Sequence, residues 1–306
     1  MASTFFQKLD ARWAGGARVC VGLDSDPKKV AAIQGREWVG DENDIVAFNH
    51  EIIDATKDIA LAYKPNAAFY AGGTYALYEM LSYIRDNAPD MPVIFDGKRG
   101  DIGNTNHGYV EEAFGIFPGA DEPGFDAITI HNYLGMEANL PFLDQKDRGI
   151  IVLCKTSNPG SGEFQDIIVE VPEDRFNEIV LTLPADHDGM SIPKRMPMYQ
   201  YVAWRSRVWN RRNNNVILVV GATYPEQLRE VRKIVGDMPI LIPGYGKQGG
   251  DLEASVRNGA NSLKRGFVIN ESSSAIFASM ESDFAQACRA RVLDTTQKID
   301  RVLATL

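Results

Sequence analysis

An α/β barrel of eight parallel strands is the fold class that the sequence predicts: one domain over residues 1–306 with a long insertion after the fifth strand, at about 162–197. Three observations predict it. Short β-rich apolar runs alternate with longer stretches of helical period, which is the pattern of repeated βα units around a parallel sheet. The runs number eight, which favours closure into a (β/α)8 or TIM barrel over an open doubly wound sheet. Several runs are apolar on both faces, as strands must be when they pack between a barrel interior and an outer layer of helices.

The first run, Arg18 to Asp24, stops at a carboxylate, and the second, Ile59 to Asn66, ends in Lys64-Pro65-Asn66. Thr74 to Asn87 then places Leu77, Leu81 and Ile84 on one face of a helix. The third run, Pro92 to Lys98, opens onto Asp96-Gly97-Lys98-Arg99-Gly100-Asp101, and the fourth is Ala127 to His131. The fifth, Gly149 to Ser157, leads into Thr156-Ser157-Asn158-Pro159-Gly160. Here the rhythm breaks. From Gly162 to Pro197 the chain carries many acidic residues, the prolines Pro172, Pro184, Pro193 and Pro197, and little periodicity, so it reads as an insertion that is either a lid or variable surface. The sixth run, Val216 to Thr223, is followed by a helix over Pro225 to Val235 with Leu228, Val231 and Val235 on its inner face. Pro225 suits its first turn and Gly236 its stop. Pro239 to Gly246 and Gly266 to Asn270 complete the eight.

Composition narrows the function. At 44% apolar and 24% charged, the 306-residue chain lies in the globular range and is long enough for one large core. A formal net charge of -9 argues against a nucleic-acid partner, which calls for clustered Lys and Arg. Cys20, Cys154 and Cys288 are too few and too scattered for a disulfide framework or a structural zinc site, so a reducing cytoplasm is the expected location. No apolar run of signal-peptide or membrane-span length occurs, and a soluble, unprocessed protein is expected.

Active sites of such barrels lie at the C-terminal ends of the strands, and the polar residues gather there. Asp24, Lys64, Asp96, Lys98 and Asp101 all fall at strand ends. Asp96 and Lys98 are two apart, which on a regular strand puts both side chains on one face. Opposite charges within a few Å hold each other ionised. An exposed ion pair contributes only ~0 to 1 kcal/mol, which is a poor reason to crowd several charges at one barrel mouth.

Asp-Gly-Lys-Arg-Gly-Asp-Ile-Gly-Asn-Thr at 96–105 resembles the signature of the orotidine 5'-monophosphate decarboxylase family. The resemblance continues through Gly22-Leu23-Asp24, Lys64-Pro65-Asn66, Tyr133-Leu134-Gly135, residues 156–160, Val220-Gly221-Ala222-Thr223 and residues 243–250, in wording similar to the bacterial branch called type 2. It implies a barrel enzyme without cofactor or metal that converts orotidine 5'-monophosphate to uridine 5'-monophosphate and CO₂, the last step of pyrimidine biosynthesis. Implied roles follow residue by residue. Asp24 and Lys64 bind ribose hydroxyls beside Asn66, Asp96 sits against the substrate carboxylate, and Lys98 protonates C6. Asp101 and Thr105 reach across a homodimer interface, Ser157 reads the pyrimidine, and Gln248 with Gly249 contacts the phosphate. The chemistry needs such a lysine, because loss of CO₂ leaves a carbanion without an adjacent electron sink.

One position departs from the pattern. Where the family has a phosphate-binding arginine after strand eight, this chain reads Asn270-Glu271-Ser272-Ser273-Ser274, with Ser274 in the arginine's place. The backbone N–H groups of Ser273 and Ser274 at a helix start, together with Lys247 in the preceding loop, are the expected compensation. Two alternatives remain open at this point: a catalytically silent nucleotide-binding homologue, and a metal-dependent sugar-phosphate lyase of the same superfamily. The Gly244-x-Gly246-x-x-Gly249 run formally matches a dinucleotide fingerprint but comes too late in the chain for one. His50, His107, His131 and His187 lack metal-ligand spacing, with His131 expected to be structural, and Cys154 is expected in the core.

Overall fold

The structure, a computed structural model, describes residues 4–115, 124–183, 192–246 and 249–306. Eight strands run parallel in one sheet: β1 (Val19–Leu23), β2 (Ala62–Pro65), β3 (Ile94–Arg99), β4 (Ala127–Ile130), β5 (Gly149–Lys155), β8 (Val216–Val220), β9 (Ile240–Ile242) and β10 (Phe267–Glu271). β6 (Ile168–Glu170) and β7 (Arg195–Pro197) form a separate antiparallel pair. The ladder order is β2-β1-β10-β9-β8-β5-β4-β3. Its two end strands meet through parallel bridges at Tyr63 to Val93 and Asn66 to Asp96, and the Tyr63 N–H donates to the Pro92 carbonyl at 3.0 Å. The sheet therefore closes into the expected barrel, each strand falling on one of the eight apolar runs, with β3 and β10 extending one residue past theirs, to Arg99 and Glu271.

Two cores explain why those runs are apolar on both faces. Inside the barrel every strand contributes a side chain to one cluster, including Cys20, Ala62, Ile94, Ala127, Ile151, Ile217, Leu241 and Val268. Phe5, Leu9 and Trp13 of the helix Phe5–Ala14 complete that cluster and plug the N-terminal end of the barrel. A Thr4/Gln7 capping box starts this helix, and the Trp13 indole N–H donates to the Phe267 carbonyl at 3.2 Å. Outside, strand residues such as Val19, Val21, Ile150, Val152 and Leu218 pack under the helices. The helix Tyr75–Asn87 buries Leu77, Leu81 and Ile84, and Pro225–Val235 buries Leu228, Val231 and Val235 with Pro225 in its first turn and Gly236 at φ 59 after its end. With the N-terminal end plugged, the barrel's cavity opens at the C-terminal ends of its strands.

The segment at 162–197 departs from the reading of an aperiodic insertion. It holds a short helix Gly162–Gln165, the β6/β7 ribbon with Val169 opposite Met196, and the helix Glu173–Val180. Strands of three residues are too short to display a period, and Pro172 and Pro197 each stand immediately before a helix rather than inside a loop. Residues 184–191, which include Pro184, lie outside the described residues. The helix Met198–Asn210 then returns to the barrel and packs on β5 and β8. Among the described residues, no helix is long and apolar enough to cross a membrane.

Candidate active site

A cavity of about 1570 Å³ opens at the C-terminal ends of the strands and continues outward beneath the insertion, past Phe164, Ile167 and the helix Met198–Asn210. Its floor is divided. Residues from β1 to β4 bring Asp24, Lys64, Asp96 and Thr129, whereas β5, β8 and β9 bring Leu153, Val219 and Leu241. One wall is thus charged and the facing wall apolar.

The charged wall centres on Asp96, which is 8% exposed. Its Oδ2 accepts from Lys64 Nζ at 2.8 Å, and its Oδ1 accepts from Lys98 Nζ at 2.7 Å and from Thr129 Oγ1 at 2.8 Å. Burial would raise the Asp96 carboxyl, but the ammonium groups of Lys64 and Lys98 outweigh it and hold the group well below the usual carboxylate range. Burial likewise works against the Lys64 ammonium, yet Asp96 and Asp24 more than restore it and raise its pKa above the ordinary value. Both partners are therefore ionised at neutral pH. The two lysines differ in access: the Lys64 side chain is 4% exposed and the Lys98 side chain 44%.

Asp96 and Lys98 meet, but not by the regular alternation of a strand. Phe95 pairs with Ile128 and Arg99 with Ile130, so Asp96, Gly97 and Lys98 stand opposite Thr129 alone. The result is a bulge, and Lys98 takes a left-handed φ of 45 in it, a costly conformation for a residue with a Cβ. Thr129 Oγ1 accepts the Lys98 backbone N–H at 2.9 Å and so replaces a missing ladder partner. Such bulges re-aim side chains next to active sites.

The remaining expected residues divide into three groups. Asp24, Asn66, Ser157, Ser273 and Ser274 line the same cavity as Lys64, Asp96 and Lys98. Asp24 Oδ1 is buried with no hydrogen-bond partner, and the Asn66 side chain caps the turn at Ala67–Tyr70 through the Ala68 N–H. Ser157 approaches Gly221 so closely that a Cβ there would stand 2.8 Å from the Ser157 backbone, which makes glycine necessary. Asp101, Thr105 and Gly249 do not line the cavity of this single chain; the Asp101 carboxylate accepts from the Ile102 N–H at 2.7 Å and Thr105 is exposed on the helix Gly103–Phe114. Lys247 and Gln248 lie outside the described residues.

Sequence reasoning missed Thr129, Asn270 and Tyr245, all of which line the cavity. A polar residue in the otherwise apolar Ala-Ile-Thr-Ile of β4 was the available signal for Thr129. His131 also lines the cavity, and burial followed by the Lys98 charge lowers its pKa, so its imidazole is neutral there. The thiols are not nucleophiles. Burial pushes Cys20 up to about 12 against the opposing pull of Lys64, and Cys154 is core-buried with Sγ donating to the Tyr199 carbonyl.

Comparison with known proteins agrees with this geometry. The model of the orotidine 5'-phosphate decarboxylase / HUMPS family matches residues 17–281. An orotidine 5'-phosphate decarboxylase from Ralstonia pickettii is 40% identical over 301 residues, which cover 97% of this chain and 98% of the relative. The solved OMP decarboxylase of Leishmania donovani superposes with a TM-score of 0.74 at 31% identity, covering 98% of each chain. The UMP synthase of the same organism gives 0.76 at 32% identity, and there this chain spans 98% of its own length but 56% of that longer protein.

Proposed function

The chain belongs to the orotidine 5'-phosphate decarboxylase / HUMPS family, and from that premise we propose that it converts orotidine 5'-monophosphate to uridine 5'-monophosphate and CO₂ without metal or cofactor. The observation that carries this reading is the Lys64, Asp96, Lys98 chain of charges at the strand ends, facing an apolar wall.

The substrate's C6 carboxylate would lie against Asp96. Two carboxylates 4 Å apart repel by about 4 kcal/mol at an effective dielectric near 20, and departure of neutral CO₂ relieves that repulsion. The C6–carboxyl bond breaks with its electron pair left on C6, Lys98 Nζ stabilises the developing charge, and an N–H proton passes to C6. Lys98 suits this step because its ammonium is presented to the cavity while Lys64 is buried under Asp96. The apolar side chains of Leu153, Val219 and Leu241 offer a dry surface for CO₂.

Asp24 and Lys64, beside Asn66, take the ribose hydroxyls; the unpartnered Asp24 Oδ1 is a ready acceptor for one of them. Ser157 reads the pyrimidine. Phosphate binding falls to Ser273, Ser274, Gln248 and Gly249, with Lys247 supplying the cation that Ser274 does not. Asp101 and Thr105 complete the site of a second copy in a homodimer, which accounts for their lying away from this chain's own cavity. The enzyme would act in the cytoplasm.

Both Asp96 oxygens are occupied by ammonium and hydroxyl donors, which a divalent cation would have to displace, and this favours the metal-free reaction over a sugar-phosphate lyase. The test is loss of the orotidine 5'-monophosphate ultraviolet absorbance in excess EDTA. Full turnover is expected. Activity that vanishes on chelation would contradict the metal-free reaction, and none at saturating substrate would favour the lyase or a silent homologue over the decarboxylase.

A further inference from the structure

We infer that Thr129 is a positioning residue of this site, fixing the Asp96 carboxylate and the Lys98 backbone relative to each other through one hydroxyl. The inference rests on the decarboxylase reading for its kinetic consequence only. Ala127 belongs to the inner barrel cluster, so Thr129, two residues on along β4, faces inward and upward to the mouth. It is 1% exposed. A buried threonine in a strand commonly returns its hydroxyl to a nearby backbone carbonyl, but this one donates to Asp96 Oδ1 at 2.8 Å and accepts from the Lys98 N–H at 2.9 Å. The same hydroxyl therefore spans the β3 bulge, holding the carboxylate that would face the substrate and the strained backbone of the lysine that would protonate it. A β-branched side chain is stiff about χ1, which makes Thr129 a firmer post than a serine at this position.

A valine in its place would keep the volume and lose both bonds, and a serine would keep both bonds on a looser side chain. For Thr129→Val we expect kcat to fall about 10- to 100-fold with KM for orotidine 5'-monophosphate changed by less than about threefold, because misplacement of reacting groups costs rate rather than ground-state binding. Thr129→Ser should recover to within about threefold of the wild type. Crystal structures of the unliganded wild type and Thr129→Val provide a readout that does not depend on turnover. The wild type should show one Asp96 rotamer on Thr129 Oγ1, and the valine variant a rotated or split carboxylate. An unchanged kcat per intact site with only a lowered Tm, a valine variant as good as the serine variant, or an Asp96 rotamer identical in both crystals overturns the inference. If the wild type itself fails to turn over orotidine 5'-monophosphate, the functional reading falls while the crystals still decide the positioning.

Discussion

Asp96 takes hydrogen bonds from three side chains, and its charge is what keeps a lysine ionised beneath the barrel mouth. Replacing it by asparagine leaves the buried Lys64 ammonium with the Asp24 charge but without its hydrogen-bonded carboxylate, which costs about 3 kcal/mol at neutral pH. The pH dependence follows from the directions of the two shifts. Asp96 has a folded pKa below its unfolded value, so its contribution is fully present above about pH 4 and is lost as pH falls through the folded value. Lys64 has a raised folded pKa, so its contribution is fully present below about pH 10 and is lost only as pH rises further. The stability gap between wild type and Asp96→Asn in urea unfolding should therefore be flat from about pH 5 to 7, narrow below about pH 4, and narrow again at alkaline pH as the variant's destabilised Lys64 ammonium gives up its proton. A gap that narrows inside that window contradicts the assignment. Asp96 and Lys98 could be found in the sequence because they are neighbours on one strand. Thr129 carried only a weak signal, because a threonine among Ala127, Ile128 and Ile130 is also what an ordinary buried strand contains, and the pairing of β3 with β4 is what reveals what its hydroxyl faces.

At the scale of elements, the helix Phe5–Ala14 decides which end of the barrel is open. Phe5 is 1% exposed and Leu9 fully buried, both inside the barrel cluster. Phe5→Ala should cost about 3 to 5 kcal/mol through the cavity it leaves. Denaturant unfolding measures it, and a loss under about 1 kcal/mol would mean that the plug is peripheral. The eight strands are readable because parallel strands buried on both faces are continuous apolar runs. The plug is not, since Phe5, Leu9 and Trp13 mark a helical face without saying what that face covers. The order within the insertion is hidden for a related reason: it is anchored by the fully buried Lys155, whose ammonium meets the half-exposed Asp166 at 2.7 Å and lies 4.4 Å over the Tyr224 ring. Those contacts join β5 to the insertion and to the loop after β8, and no local pattern announces them.

For the whole molecule, the family assignment and the barrel agree, and the proposal that belongs to this scale is a site shared between two copies. Asp101 and Thr105 stand apart from the cavity of their own chain, as residues destined for a neighbour would. If they complete a partner's site, Lys98→Ala and Asp101→Asn are each inactive alone but complement when dissociated together and reassembled. Half of the random dimers are then mixed, each with one intact site, which restores about a quarter of the wild-type activity. No recovery on mixing contradicts a shared site. In the proposed reaction, Lys98 is the group that would stabilise and protonate C6. Its most direct test is kcat/KM for orotidine 5'-monophosphate in EDTA, measured for wild type and Lys98→Ala. The predicted result is rapid wild-type turnover with a loss of about 10⁴-fold or more in the variant, and a variant within about tenfold of wild type would contradict it.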